Sequence, residues 1–554
     1  MFLNRVTSYI ILFLIAITAF LPFLGNTHLF DWDEINFAEC AREMIETGNY
    51  SVVTINYQPF WEKPPLFIWM QVISMKLLGI NEFAARFPNV VCGFLTLLFI
   101  FNIGSKLYDL KMAWLWVLFY IGSFLPHLYF RSGIIDPWFN LFIFASIYFF
   151  YVHSSNYTSF TKQNKNHFYL ILSGFSLGLA VMTKGPAAIL IFSLTLIIFW
   201  FINHRKNLAS IKGLMYFSIA VIFTGSLWFL IEILNGRFYI IKEFFEYQVR
   251  LFKTQDAGHG GPFFYHFVVL LIGCFPASIP AIASFSMRSA DTPQQKAFKR
   301  WMMILFWVVL ILFSIVKTKI VHYSSLCYFP ITFLAAYTIH KQITYPLNYK
   351  WRKWASALMI IIGLTLSLAV TAIPFVLQQK EKLLESGIIH DEFAIANLQA
   401  HTTWTGFESI AGIVLLIGFT LSFIFIIKQK QFVAYVIAAC SVVTSLHLIS
   451  ALYLNKIESY SQGTAVAYYK ALAKKNCYVE TLGFKSYAHL FYTQKKPLSN
   501  KQAYEMSYLL NEKTDKPVVF VCKNTYAETV KKDYTQLKFS HCKNGFCFFI
   551  KPKN

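Results

Sequence analysis

The chain has 554 residues, of which 56% are hydrophobic, 18% aromatic and only 14% charged. Soluble domains carry roughly 25% charged residues, so this composition excludes a water-soluble enzyme and indicates an integral membrane protein. The formal net charge of +22 does not point to nucleic acid, because the basic residues are scattered through short loops between apolar runs and a polar tail, where membrane topology and anionic head groups account for them.

In chain order, the opening MFLNR leads into an apolar run at 6–24. It is long enough to span and is followed by no small-residue cleavage site, so it reads as an uncleaved first helix. Further runs of about 17 to 25 apolar residues lie near 85–104, 111–130, 137–153, 168–182, 186–203, 214–233, 263–284, 301–316, 320–340, 355–377, 407–427 and 431–453, giving thirteen expected spans. One set of loops carries Lys106, Lys111, Lys162, Lys165, Arg205, Lys206, Lys212, Arg288, Lys296, Lys299, Arg300, Lys341, Lys350, Arg352, Lys353, Lys428 and Lys430. The positive-inside rule makes that set cytoplasmic. The other set comprises the 25–84 loop, the turn from Arg131 to Asp136, Lys184, the 234–262 loop, Lys317 to Lys319 and the 378–406 loop. It holds nearly all the unusual carboxylates, and an odd number of spans sends the C-terminal tail to the same outer side.

The densest charge lies in the first outer loop, as DWDEINFAECAREM (Asp31 to Met44), FWEKPP (Phe60 to Pro65) and NEFAARFP (Asn81 to Pro88). Ala38, Ala41 and Ile45 recur at helical spacing, which predicts an amphipathic helix on the membrane surface ending at Gly48. Asp33 then has two readings, helix N-cap or working carboxylate, and Glu34 is either a favourable charge on the helix dipole or a second working acid. Pro64 and Pro65 start a second interfacial helix and leave Glu62 and Lys63 on the loop before it. Arg86 stands at the mouth of the second span, where snorkelling is its ordinary role.

Asp136 and Pro137 open the fourth span as cap and first residue, with Arg131 about one turn earlier. Lys184 sits in the tight turn Thr183 to Pro186. Glycines surround His259 in GHGGP, which lets backbone fold closely around a ligand, although a single His is a weak metal signal without a partner such as Glu62. Lys317, Lys319, His322 and Tyr323 crowd one interface, supplying the fixed positive charge and donors that a phosphate needs.

From Tyr460 onward the tail reads as a small α/β unit. Its expected helices are 464–475 and 525–532, and its expected strands 478–482, 518–522, 539–542 and 546–550. It has no nucleotide-binding glycine pattern and is assigned no chemistry. Among nine cysteines there is no CxxC and no zinc spacing. Cys92, Cys274, Cys327 and Cys440 lie in spans as packing residues. Cys542 and Cys547 flank a hairpin-like turn, where a disulfide and two free thiols both fit.

Taken in order, DWDE…FAE, FWEKPP, NEFAARFP, GIIDPW, TKGP, GHGGPFFY and KTKIVHY…YFP resemble the GT-C glycosyltransferases, within them the bacterial aminoarabinose transferases and the protein O-mannosyltransferases. The resemblance covers about the first 340 residues, and thirteen spans followed by a periplasmic domain match the aminoarabinose transferases. It implies an all-α polytopic inner-membrane protein with about thirteen transmembrane helices, divided into a catalytic region 1–455 and a soluble periplasmic domain 456–554. It further implies transfer of a sugar from a polyprenyl-phosphate donor, such as undecaprenyl phosphate, to lipid A or another envelope acceptor, with no nucleotide cofactor.

By that resemblance Asp33 is the catalytic base and Asp136 a second functional acid, with Glu34 beside them. Lys63 binds the donor phosphate and Lys319 and Tyr323 fall near phosphate-binding positions, while Arg86, Lys184 and Lys317 join them as candidates for the leaving-group cluster from their positive charge on the same side. Glu62 and His259 match residues associated with a divalent metal, zinc. Asn36 and Phe37 depart from the Arg-Tyr common in the family, which leaves the acceptor open. Protein O-glycosylation and a polyprenyl-lipid flippase are the competing functions. The flippase calls for ionisable residues at mid-span, whereas here they gather at one face.

Overall fold

The structure is a computed structural model that describes residues 5–158, 167–204, 208–254, 260–287, 290–342 and 349–553. Each of the thirteen expected apolar runs contains helix, but not all as one rod. Among the described residues, five helices are by themselves long and apolar enough to cross a bilayer: Glu82–Leu107, Pro293–Ile315, Lys353–Gln378, Phe407–Ile427 and Gln431–Leu452. The 214–233 run is a pair, Ile211–Gly225 and Leu227–Leu234, bent by 49° at a Gly-Ser step of the kind that kinks helices. The 263–284 run departs further, as Tyr265–Gly273 and Ser278–Ser284 meet at 111°. Pro276 falls in that break and has no N–H to continue a helix. The 320–340 run opens as a 3-10 helix, Val321–Cys327, before Tyr328–Lys341.

Lipid supplies no hydrophobic drive between helices, so contact is won by close packing. Gly174 and Gly178 lie one turn apart against the 211–225 helix. A Cβ on them would stand 2.3 Å from the Phe217 carbonyl oxygen and 2.6 Å from Thr224 Cβ. Elsewhere large rings fill the core, with Phe144 stacked on Phe329 and Phe199 on Trp301, each pair at 4.2 Å.

The 25–84 loop folds as a helix, Asp33–Thr47, a short antiparallel ribbon of Thr54–Ile55 with Gln58–Pro59, and a second helix, Leu66–Leu78. The first of these is not a surface helix. Every residue from Glu34 to Met44 is buried, because its polar face is satisfied internally rather than by water. Arg42 bonds Glu39 at 2.7 Å, and Glu43 accepts the Thr54 hydroxyl at 2.6 Å and the Tyr57 N–H at 3.0 Å. The Tyr57 hydroxyl donates in turn to the Lys495 carbonyl at 2.6 Å. The 234–262 loop likewise contains a helix, Phe238–Lys253.

The C-terminal part carries a four-stranded sheet whose strands match those expected within a residue: 478–482, 518–523, 538–543 and 546–551. The first two strands pair in parallel and the other contacts are antiparallel. Helices Gly463–Leu472 and Asn524–Asp533 accompany it, and a disulfide joins Cys542 to Cys547 across adjacent strands.

Candidate active site

A cavity of about 570 Å³ opens where the 25–84 loop, the 238–253 helix, the ends of several apolar helices and the C-terminal unit meet. Asp33, Glu34, Glu62, Lys63, Asp136, Lys184 and Tyr323 all line it. Residues dispersed over the first 323 positions are thereby brought to one place. A larger groove of about 910 Å³ runs along the 293–315 helix, walled mainly by apolar side chains, and contains none of these residues. The candidate residues gather in the smaller cavity.

Asp33 is the first residue of its helix, and Trp32 stands at the cap position with no side-chain cap bond. The capping role is therefore absent. The Asp33 carboxylate faces the imidazole of His322 instead, Oδ2 to Nε2 at 3.4 Å, and its side chain keeps 39% of its exposure. Asp136 approaches the same Nε2 from the other side at 3.8 Å and is buried. Its Oδ1 takes Lys184 Nζ at 2.5 Å, while Oδ2 accepts no hydrogen bond. His322 is held in the 3-10 segment by the Ser325 hydroxyl on its carbonyl, and Ser325 is bound by Tyr129 at 2.6 Å and Asn140 at 2.8 Å.

Glu34 is occupied differently. Arg86 grips both its oxygens at 3.0 and 2.8 Å, and the Phe30 and Gly133 N–H groups donate at 2.9 and 2.5 Å. These bonds fix the start of the helix against the Ser132–Gly133 turn and leave Glu34 a positioning group.

Lys63 is buried beside Asp33 and Glu62, with Nζ 4.9 Å from the Tyr247 ring. Burial pulls its pKa below that of an ordinary lysine, and the two carboxylates only partly restore it. Lys184 lies 4.9 Å from the ring of Tyr323. The Lys184 turn is sharp because Gly185 adopts φ +103°, and a Cβ there would sit 2.6 Å from Phe244. Phe244 belongs to the 238–253 helix, which carries Tyr247, Gln248 and Arg250 into the cavity.

Three expected phosphate ligands fall elsewhere. Arg86 is buried, with its guanidinium committed to Glu34 and to the carbonyls of Leu24, Thr27 and His28. It neither snorkels nor reaches the cavity. Lys319 is buried with its ammonium on the carbonyls of Phe313, Ser314 and Val316 at 3.0, 2.7 and 2.6 Å. It caps the end of the 293–315 helix. Lys317 is exposed and outside the cavity wall. Arg131 donates to the Pro22 carbonyl at 2.5 Å.

For a metal, Glu62 lines the cavity near Lys63, Cys40 and Tyr487, while His259 lies outside the described residues. Among the described residues no three His, Cys, Asp or Glu side chains are grouped to hold a metal ion. Glu62 is the one member of the expected pair among the described residues, and no step below passes through a metal.

His322, expected among the phosphate-binding donors, stands between the two aspartates instead. Three other cavity residues have no role legible in the sequence: Arg250 and Tyr247 follow the seventh apolar run, and Lys485 comes from the C-terminal unit. The polar run from Glu246 to Arg250, within a loop between apolar runs, is a local signal for the first pair.

A profile of the family described as dolichyl-phosphate-mannose-protein mannosyltransferase matches residues 62–229. The chain is 25% identical over 479 residues to the undecaprenyl phosphate-alpha-4-amino-4-deoxy-L-arabinose arabinosyl transferase of Pectobacterium carotovorum, covering 86% of this chain and 81% of that protein. A protein of the same name from Wigglesworthia glossinidia is 27% identical over 345 residues, 61% of this chain and 60% of that protein. Among solved structures, ArnT from Cupriavidus metallidurans bound to undecaprenyl phosphate superposes with a TM-score of 0.77 at 15% identity, over 99% of this chain and 98% of that one. The Archaeoglobus fulgidus oligosaccharyltransferase gives 0.51 at 11% identity, over 96% and 69%. The fold is the GT-C fold that the motifs implied, in a multi-pass membrane protein.

Proposed function

We propose that this chain is an integral membrane glycosyltransferase that moves a sugar from a polyprenyl-phosphate donor to lipid A or another envelope acceptor. The observation that carries the reading is the single cavity in which Asp33, Asp136 and His322 meet Lys63, Lys184 and Tyr323. Inverting transfer needs a carboxylate to take the acceptor proton and fixed positive charge to receive the departing phosphate. Asp33, partly exposed, takes the proton of the acceptor hydroxyl as its oxygen attacks the anomeric carbon. The bond from that carbon to the phosphate oxygen breaks, and its electron pair leaves with the polyprenyl phosphate, which Lys63 and Tyr323 receive. Asp136 holds Lys184 and His322 in place.

The reading includes thirteen crossings of the bacterial inner membrane and a cavity open to the periplasm. It also takes 1–455 as the membrane catalytic region and 456–554 as the outer unit. The test is purified protein incubated with undecaprenyl phosphate-linked sugar and an envelope lipid extract. Labelled lipid is expected from the wild type and not from Asp33→Asn. The protein-mannosyltransferase match supports a second reading, a protein acceptor, which is recognised by label entering protein instead of lipid. A divalent ion at Glu62 and His259 is a separate proposal. It requires less bound metal, by elemental mass spectrometry, in Glu62→Ala and His259→Ala than in the wild type, and equal metal content removes it.

A further inference from the structure

The residue directly before Asp33 is unusual in two respects. Trp32 adopts φ 73°, ψ −117°, and its side chain remains 45% exposed on the cavity wall. A bulky residue in that region of backbone space is strained and persists only where its surroundings impose it. The surroundings here are the C-terminal unit. Glu458 binds the His28 imidazole at 2.6 Å, the Tyr492 hydroxyl accepts the Leu29 N–H at 2.7 Å, and Gln462 donates to the Leu29 carbonyl at 2.7 Å. Asp31 accepts the Trp32 N–H at 3.0 Å and is itself bound by Ser486. The chain from His28 to Asp31 is therefore pinned on its outer side, and Trp32 is turned into the cavity.

The same unit sends in a cation. Lys485 lies on the loop between the 478–482 strand and the Ala488–Thr493 helix, at the carboxyl end of one of the two parallel strands. Ligands of open α/β sheets gather at such strand ends. The loop starts at Gly483, where φ is +73° and a Cβ would stand 2.4 Å from the Tyr526 ring, so its path is fixed by packing. Lys485 Nζ comes within 5.8 Å of the Trp32 ring and 5.5 Å of the Tyr487 ring.

The cavity thus has two differently built walls. Lys63, on the loop before the 66–78 helix, and Lys184, at the end of the 168–184 helix, stand on the wall that the transferase reading gives to the leaving phosphate. Trp32 and Lys485 are set by the outer unit, next to the base. Displacement with inversion brings the acceptor in opposite the leaving phosphate. We propose that Trp32 and Lys485 form the acceptor subsite, an aromatic platform and a cation that together receive a saccharide bearing an anionic group. This rests on the transferase reading above and names the part of that site which selects the acceptor.

The test is steady-state transfer by the full chain in detergent, from undecaprenyl phosphate-linked 4-amino-4-deoxy-L-arabinose to lipid A, with each substrate varied in turn. Lys485→Ala is expected to raise KM for lipid A by about tenfold, the scale of one lost charge-assisted hydrogen bond, and to leave donor KM within about twofold. Lys485→Arg should restore most of the loss, and Trp32→Ala should raise acceptor KM more than Trp32→Phe. The effect of Lys485→Ala should shrink as ionic strength rises, because salt screens a partly exposed charge contact. Undecaprenyl phosphate binding at the wild-type Kd shows that the variants are folded. A rise in donor KM instead, or acceptor KM unchanged in every variant, overturns the inference and leaves the transferase reading standing. No transfer by the wild type overturns both.

Discussion

The two ends of the Asp33–Thr47 helix carry acids at similar density and use them in opposite ways. At its start, Asp33 faces an imidazole at 3.4 Å, lies beside Lys63 and keeps a face toward the cavity. Further along, Glu39 is closed by Arg42, and Glu43 accepts from Thr54 and Tyr57, with both carboxylates buried. Glu34, one residue after Asp33, already belongs to the second kind through Arg86. Charge density therefore marks this helix without separating chemistry from architecture. What separates them is whether a carboxylate has oxygen lone pairs and space left over.

The largest effect expected from that contrast is at Asp33. Asp33→Asn keeps the shape and removes the base, so kcat should fall about 10²–10⁴-fold while undecaprenyl phosphate still binds at the wild-type Kd. A variant with wild-type turnover would place the proton elsewhere. Arg86→Met should act on folding instead, because it strands Glu34 in a buried site at a cost of about 3–5 kcal/mol. The expected outcome is a lowered Tm, and a normal Tm with raised donor KM would return Arg86 to the phosphate cluster.

Lys63 lies between these extremes. Lys63→Ala should lower kcat/KM about 10- to 100-fold, the scale of a hydrogen bond to a charged partner. Its burial also sets a pH dependence. Because the free-enzyme pKa is lowered from 10.5, the ammonium loses its proton, and with it the phosphate, as pH rises through a value below that of ordinary lysine. The alkaline fall in kcat/KM should thus come early, and Lys63→Arg should move it upward. An unmoved limb would assign it to another group.

The smallest effect is at Glu43. Burial, with Glu39 adding to it, raises this carboxyl from 4.5 to about 8. The folded state then holds a proton that the unfolded chain releases above pH 4.5, so stability falls as pH rises from about 4.5 to about 8. Glu43→Gln removes that loss. Its Tm should equal the wild type's near pH 4.5 and exceed it near pH 8.5, and parallel curves would show that the carboxyl is ionised throughout.

The apolar runs, the alternation of basic loops and the tail strands were legible in sequence because each is a local property. Hydropathy needs only a window of residues, and the strands are short β-rich runs between turns. The cavity was partly legible. Asp33, Asp136, Lys63, Lys184 and Tyr323 share one face of the membrane in any topology that obeys the loop charges. Arg86, Lys317 and Lys319 met the same criterion and do not line the cavity, since facing the right side does not say whether a side chain's donors are already bound.

The sequence by itself determined a polytopic chain with its unusual acids gathered on one side. Tertiary structure alone decided which of them remain available. Arg86 is spent on a carboxylate and three carbonyls, and Lys319 on the end of a helix, because buried charges must be paired where they lie. It also decided that Lys485, from a tail with no motif, stands beside Trp32, because no local pattern encodes which distant loop a folded unit will lay over a cavity.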